Sequence, residues 1–597
     1  MTDKRRSIAQ WAALVVLGLV IYLPAFNAPF TFDDHQAIVQ NHYIRATSLS
    51  PQSLFRAAFQ DYRQNRPLTN LSFALNYYFS QMDPFGYHLA NFLVFILTAA
   101  GIRLLAKKLL LRLGLEESRA GLASWLAALA WVAFPLNVQA VTYTVQRATC
   151  MAGAFSIWSV YFFHLGMERK EKAGRDFLLS GLCCLSALLS KETALALPAL
   201  LLAYKIYFFD RLAPGILSRN RKWLLGLSLF YLAALMFALR PAMSAVVFDF
   251  GRMPFTAWQR SLTEPMVLAY YAMLIVFPLP QRLSIEHHFF ASRSWLEPRY
   301  TAIFLVLLLT AVILTFFRSR KNPALGFAAL WYFGQLIVEA LPLPIDLAAE
   351  QRLYLASLSF IVPALTRLLA RPAKPRPAIF LIGLAILFYG GFTFQRNRAW
   401  NDPEMLWRDA VKKSPLFARP ANNYCSVLAD QGKCEQAFKA CGLAIAFSRS
   451  LPDPYMNLGV CYSKRGREDL AEEVFRKAAD LSGGSAWSLF HIGMTFYIRR
   501  DYASAVTWFA EAAAKDPSNP EPHFYLAQSF RVFGRTEDWM RELAAAVKLR
   551  PEWAEARGQL AWALVAAGRC PEAAALVKSA PALDPQFANV TEYCRSK

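Results

Sequence analysis

Apolar residues over the first two thirds of the chain come in runs long enough to cross a bilayer. The first run, Ile8 to Phe26, follows a basic start at Met1 to Arg6. Further runs lie near 88–105, 120–138, 141–166, 176–190, 193–209, 222–240, 264–281, 300–317, 323–341, 353–370 and 378–394. In lipid, backbone groups over such lengths are satisfied only by helices. The pattern therefore predicts an all-α, polytopic membrane region over 1–400. The first run lacks a small-x-small cleavage site and reads as an uncleaved helix with its N-terminus in the cytoplasm. Residues 27–87 are too polar to span yet rich in aromatics and arginine, and are expected to form the first external loop.

The charge pattern orients this region. The net charge of +22 collects in short loops at 103–119, 168–175, 211–222, 318–321 and 371–376, which read as cytoplasmic. Twelve crossings would return the chain to the cytoplasm after 394, whereas these loops place that segment outside. One run must then fail to cross. The candidate is 264–281, which is short and flanked by Arg260 and Arg282. About eleven crossings and an outward C-terminal arm are expected. The loops account for the basic charge, and no basic face marks a nucleic-acid partner.

After a connector at 401–420 the rhythm changes to a repeat over 421–597. Asn423, Asn457, His491, Tyr525 and Gln559 are spaced by 34 residues. Nine positions on stand Gly432, Gly466, Arg500, Gly534 and Gly568; fourteen on stand Ala437, Ala471, Ala505, Trp539 and Ala573. Proline recurs at Pro517, Pro551 and Pro585. This is the tetratricopeptide (TPR) period, with small residues where paired helices cross. About five repeats form an α-solenoid whose concave face is suited to peptide. No CxxC pair occurs, so no metal site is expected. Cys441 with Cys461, and Cys570 with Cys594, become candidate disulfides if the arm lies in an oxidising compartment.

Candidate chemistry gathers at a few polar breaks between the apolar runs. Asp33 and Asp34, followed by His35, stand where the chain leaves the first helix. A carboxylate there can serve as general base toward a hydroxyl, or simply cap a turn. In the stretch 344–354, Arg352 can clamp a phosphate, Glu350 can orient it and Tyr354 can donate a hydrogen bond; an interfacial salt bridge is the plainer reading. Arg147 is a charge within an apolar run. Lys191 and Glu192 break another run and can pair with each other. Arg66 closes the first loop. Glu286, His287 and His288 come without a fixed ligand set.

Several strings together resemble one family. They are F-x-F-D-D-H-x-x-I-x-x-N at 30–41, R-P-L-T-N-L-S-F-A-L-N-Y at 66–77, G-Y-H-L-A-N at 86–91, P-L-N-V-Q-A-V-T-Y-T-V-Q-R at 135–147, K-E-T-A-L-A-L-P at 191–198, E-Q-R-L-Y-L at 350–355 and a tryptophan-bearing segment at 400–407. The chain resembles bacterial membrane proteins with a GT-C glycosyltransferase core and C-terminal TPRs, which are similar to the eukaryotic transmembrane and TPR-containing O-mannosyltransferases. It departs from the pattern at Phe134 and Gln351, where the family has histidine, and at Ala356, where proline is common.

The resemblance implies a polyprenyl-phosphate sugar donor, a Ser or Thr hydroxyl of an exported protein as acceptor, an inverting reaction and no cofactor beyond the lipid-linked sugar. It places the base at Asp34 or Asp33. Arg352, Arg147, Arg66 and His35 would attend the donor phosphate, supported by Glu350, Tyr354, Lys191 and Glu192. The bacterial inner membrane, with active site and repeats in the periplasm, is the implied location. The alternatives are a catalytically degenerate TPR scaffold for envelope assembly and a lipid-linked oligosaccharide transferase.

Overall fold

A computed structural model describes residues 3–60, 66–239, 250–251, 253–319, 321–369, 375–551, 553–578 and 590. The chain divides into two compact units, Met1–Lys413 and Ser414–Lys597. Both are helical. Among the described residues no strand forms, and extended pairing is limited to isolated bridges at His287–Ala348 and Ser294–Glu297.

Among the described residues of the first unit, six helices are long and apolar enough to cross a membrane: Ser7–Asn27, Pro84–Arg112, Thr144–Glu168, Ala173–Ser190, Tyr300–Ser319 and Pro377–Trp400. A seventh arises if Glu117–Val132 and Pro135–Val141, bent by 55°, count as one span. Pro135 explains the break, because proline cannot donate the next helical hydrogen bond. The run at 264–281 is helical from Ala257 to Val276 but is not among the six. A capping box at Thr256 and Gln259 starts it.

These helices differ in solvent. Tyr300–Ser319 is almost wholly exposed, as a lipid-facing helix is, whereas Thr144–Glu168 is mostly buried and forms the centre of the unit. Gly153 lets that central helix approach Tyr354: a Cβ there would lie 2.6 Å from the tyrosine ring. The expected first external loop is partly helical, with Pro51–Phe59 and Pro67–Ser80. The expected connector contains the helix Pro403–Lys413.

The second unit is a series of helix pairs, beginning with Ala418–Asp430 and Cys434–Phe447 and ending with Ala554–Ala566 and Cys570–Lys578. The recurring glycine is the left-handed residue that ends each first helix. Gly432, Gly466, Gly534 and Gly568 have φ of 73°, 68°, 67° and 74°. Arg500, the exception in the pattern, is held at φ 65°, with the same chain reversal sealed by Asp501 N–H to Phe496 O at 2.9 Å. A side chain in that region is strained. Arg500→Gly is therefore expected to stabilise the arm by about 1 kcal/mol, seen as a higher midpoint in urea unfolding of the full chain.

The first pair is closed differently from the next two. Gly459 faces Phe475, and Gly493 faces Phe509, so tightly that a Cβ on either glycine would meet the ring at 2.3 and 2.7 Å. One repeat earlier the same two positions are Cys425 and Cys441, and they form a disulfide. This corrects the expected Cys441–Cys461 bridge. The bond joins the two helices of one repeat at their crossing point rather than successive repeats, and Cys461 is a buried free thiol. Cys570 is also disulfide-bonded; Cys594 lies outside the described residues.

Candidate functional site

The Asp33–Asp34 turn is built on a strained residue. Phe32 has φ 55°, a conformation that bulky side chains avoid. It is held by stacking on Tyr143 and an edge contact with Trp407. The two acids then part company. Asp34 is buried, 1% exposed. Its Oδ1 accepts Val145 N–H at 2.7 Å and its Oδ2 accepts Thr31 N–H at 3.1 Å. Asp34 thus pins the turn to the start of the central helix. Asp33 is half-buried, and its backbone N–H donates to Tyr143 Oη at 2.9 Å. His35 is exposed at the start of the next helical turn.

Burial pushes the Asp34 carboxyl up to about 7, against the lowering effect of its Thr31 and Val145 hydrogen bonds. The unfolded chain ionises this group near pH 4. Between those values the folded state binds more protons, so stability falls as pH rises through this window and levels off above it. Thermal melts should show the wild type losing stability relative to Asp34→Asn from about pH 4 to pH 7, with a constant difference above that.

Four residues beyond Val145, the central helix meets a second polar group. Lys191 Nζ donates to Thr149 Oγ1 at 3.0 Å and pairs with Glu339 Oε1 at 3.1 Å. Arg352 Nε approaches the other oxygen of Glu339 at 3.4 Å. Arg352 also donates to the backbone oxygens of Leu347 and Asp346 at 2.9 and 2.7 Å. Gln335 and Gln351 complete a polar cavity of about 30 Å³, and the side-chain oxygen of Gln351 is buried there without a partner among the described residues. Two cations and one carboxylate line this cavity, an excess of one positive charge among its lining residues.

Other residues marked by the sequence have different positions. Glu350 does not orient Arg352. It is fully buried, accepts Ser284 N–H at 2.7 Å and His287 Nε2 at 2.9 Å, and pairs with Arg396 at 2.6 Å. Burial alone would raise its carboxyl, but Arg396 and His287 outweigh it and hold it below the usual value. Glu339 takes the expected role at Arg352. Tyr354 is core: its ring packs on Gly153 and edge-on to Trp131, and its hydroxyl is 3.4 Å from Thr98 Oγ1.

Arg147 is 1% exposed and is committed to Asn91 Oδ1 at 2.6 Å, the Tyr87 carbonyl at 2.8 Å and Asn76. It holds the first-loop helix against Pro84–Arg112 and does not line the polar cavity. Arg66 and Glu192 form a two-pronged ion pair, with Nε to Oε2 at 3.0 Å. Lys191 and Glu192 therefore pair with different partners rather than with each other. Among the described residues, Glu286, His287 and His288 do not form a metal-ligating group.

Glu339, Thr149, Tyr143 and His287 were not singled out as partners by the sequence. Glu339 carries a signal as a charge near the end of the apolar run 323–341, and His287 stands in the polar cluster 286–288.

No family model matches the chain. Similar curated proteins do. Drosophila melanogaster protein O-mannosyl-transferase Tmtc3 is 22% identical over 555 residues, covering 80% of this chain and 59% of its own length. Human TMTC4 is 24% identical, covering 72% and 65%. Human TMTC2 is 29% identical over 211 residues, covering 33% and 24%. This chain is related to the TMTC O-mannosyltransferases. It spans less than two thirds of the length of these relatives. Among solved structures, the TPR protein YrrB matches 32% of this chain and 98% of its own at 14% identity, with a TM-score of 0.26. Helices long and apolar enough to cross a membrane and a series of helix pairs occur together in this chain.

Proposed function

We propose that the protein is a membrane glycosyltransferase that moves a sugar from a polyprenyl phosphate to a Ser or Thr hydroxyl of an exported protein. The observation that carries this reading is the segment Thr144–Thr149. It ties the two-aspartate turn, through Val145, to the Lys191–Glu339–Arg352 cavity, through Thr149. The residues that anchor the turn and the cavity, Val145 and Thr149, stand about one helical turn apart along the chain. Mannose is the sugar to test first, because the relatives are named O-mannosyl-transferases.

The half-buried Asp33 takes the acceptor proton as the hydroxyl oxygen attacks the anomeric carbon. Asp34, closed in by two N–H donors, keeps Asp33 in place. The lipid phosphate leaves with a growing negative charge. The cavity has room for about one water or one phosphate oxygen. Its single excess positive charge suits a phosphodiester before transfer and stabilises the monoester after it. Configuration inverts, and no cofactor takes part. The TPR arm holds the acceptor and raises its effective concentration at the site. The Cys425–Cys441 bridge supports an oxidising location, outside the cytoplasm.

The test uses the purified full chain in liposomes with polyprenyl-phosphate mannose and peptides from exported proteins. Mass spectrometry should find hexose on Ser or Thr, with stoichiometric release of polyprenyl phosphate. If no polyprenyl-phosphate sugar is consumed, and exported proteins carry the same glycans with and without the gene, the reading is wrong.

A further inference from the structure

The helices around the polar cavity also border a second, larger and open-sided one of about 710 Å³. Its wall is apolar, formed by Leu105, Leu109, Phe208, Phe327, Trp331 and Val362 among others. The volume falls in the range of sites that hold bound organic molecules. A packed layer separates it from the polar cavity. Ile157, Trp331, Tyr354 and Leu355 are all buried, and Trp331 Nε1 donates to Leu355 O at 2.9 Å. On the helix Pro323–Ala340 the polar cavity is lined by Gln335 and Glu339 and the apolar one by residues from Leu325 to Trp331. Trp331 and Gln335 stand about one helical turn apart, so the two cavities adjoin across this layer and Leu325 marks the far end of the apolar one.

Three polar residues, Asn322, Thr366 and Arg367, lie at the far end of the large cavity, and the hydroxyl of the lining residue Tyr204 is bonded to His164 Nδ1 at 2.8 Å. Arg367 is exposed and, among the described residues, has no ion-pair partner. Lys321 adjoins Asn322, whereas Arg112, beside the lining residue Leu113, commits its guanidinium to the Phe208 carbonyl at 2.7 Å and the Phe209 ring. These ends belong to the basic loops that the sequence assigns to the cytoplasm. Part-way along the cavity, the hydroxyl of Ser359 is buried without a partner among the described residues. An amphiphile seated here would point its head away from Lys191 and Arg352.

We propose that this cavity binds an anionic glycerophospholipid of the leaflet facing the basic loops, with acyl chain in the apolar space and phosphate at Arg367. The charge at the mouth selects an anionic head over a zwitterionic one. The intervening layer separates this lipid from the sugar donor. The site stands independently of the transfer reading, since its occupant is detected by mass and not by activity.

Native mass spectrometry of the full chain, released from nanodiscs of mixed phosphatidylglycerol and phosphatidylethanolamine, tests it. One phosphatidylglycerol should be retained in preference to phosphatidylethanolamine. Arg367→Ala should lower that retention about fivefold. Val362→Trp, which fills the apolar wall, should lower retention of phosphatidylglycerol as well. Arg352→Ala and excess polyprenyl phosphate should leave it unchanged. Equal retention of both phospholipids, or indifference to Arg367→Ala and Val362→Trp, overturns the proposal. Displacement by polyprenyl phosphate also overturns it and gives the cavity to the donor's tail.

Discussion

Asp33→Asn is expected to lower sugar transfer by a factor of about 10² to 10⁴ while leaving membrane insertion and stability near those of the wild type. That range is what a positioned general base contributes. The geometry separates the two aspartates. Asp34 is closed off by the Val145 and Thr31 N–H groups, whereas Asp33 keeps an exposed part. Asn is nearly the size of Asp, so the turn at Phe32 and its contacts with Tyr143 and Trp407 should persist. The loss should fall on kcat, because the base acts after donor and acceptor are bound. Asp34→Asn should behave differently: an amide cannot accept both N–H groups through its two ends, so the turn loosens and melting temperature changes. Measured side by side in liposomes, wild-type turnover in Asp33→Asn would remove Asp33 as the base. Loss confined to Asp34→Asn, with folding intact, would move the role to Asp34.

Arg352→Ala is expected to cost about 10² to 10³ in kcat/KM for the lipid donor, the scale of removing one preorganised charge from a developing anion. The variant removes the guanidinium that faces Glu339 and leaves that carboxylate with Lys191 alone, so the cavity loses its net positive charge. It also frees the backbone oxygens of Leu347 and Asp346. Arg352→Lys distinguishes the effects. Lysine keeps the charge but cannot reproduce the forked contacts, so partial recovery of donor use assigns the loss to charge, and no recovery assigns it to the loop. Glu339→Gln gives the complementary result: one negative charge fewer should tighten binding of polyprenyl phosphate as product and slow its release. Unchanged donor dependence in Arg352→Ala would exclude this cavity from phosphate binding.

Much of the architecture was legible because its signals are local. Apolar runs of bilayer length announce helices, and a 34-residue period announces paired helices. Even the break in the glycine pattern at Arg500 is explained by a backbone angle that the neighbouring repeats share. The roles of charged residues were less legible. Glu350 and Arg352 are two positions apart, yet a 3-10 turn sends one toward His287 and Arg396 and the other toward Glu339 and Tyr271. Lys191 and Glu192 are adjacent but diverge toward Glu339 and Arg66. The Cys425–Cys441 bridge was missed for a related reason: the repeat register makes those positions equivalent to Gly459 and Phe475, but only a helix crossing makes that equivalence a contact.

The sequence by itself determined the helical class, the membrane-like first unit, the repeat period of the second and the residue types available for chemistry. Each follows from hydrophobic periodicity or from short-range steric limits, which act over a few turns of chain. Tertiary structure alone decided which charges meet. A buried ion must find its counter-charge or hydrogen-bond partners wherever folding brings them. Glu339 lies 148 positions from Lys191, and Val145 lies 111 from Asp34. No local pattern encodes such pairings, and they are what converts two separate polar breaks into one candidate site.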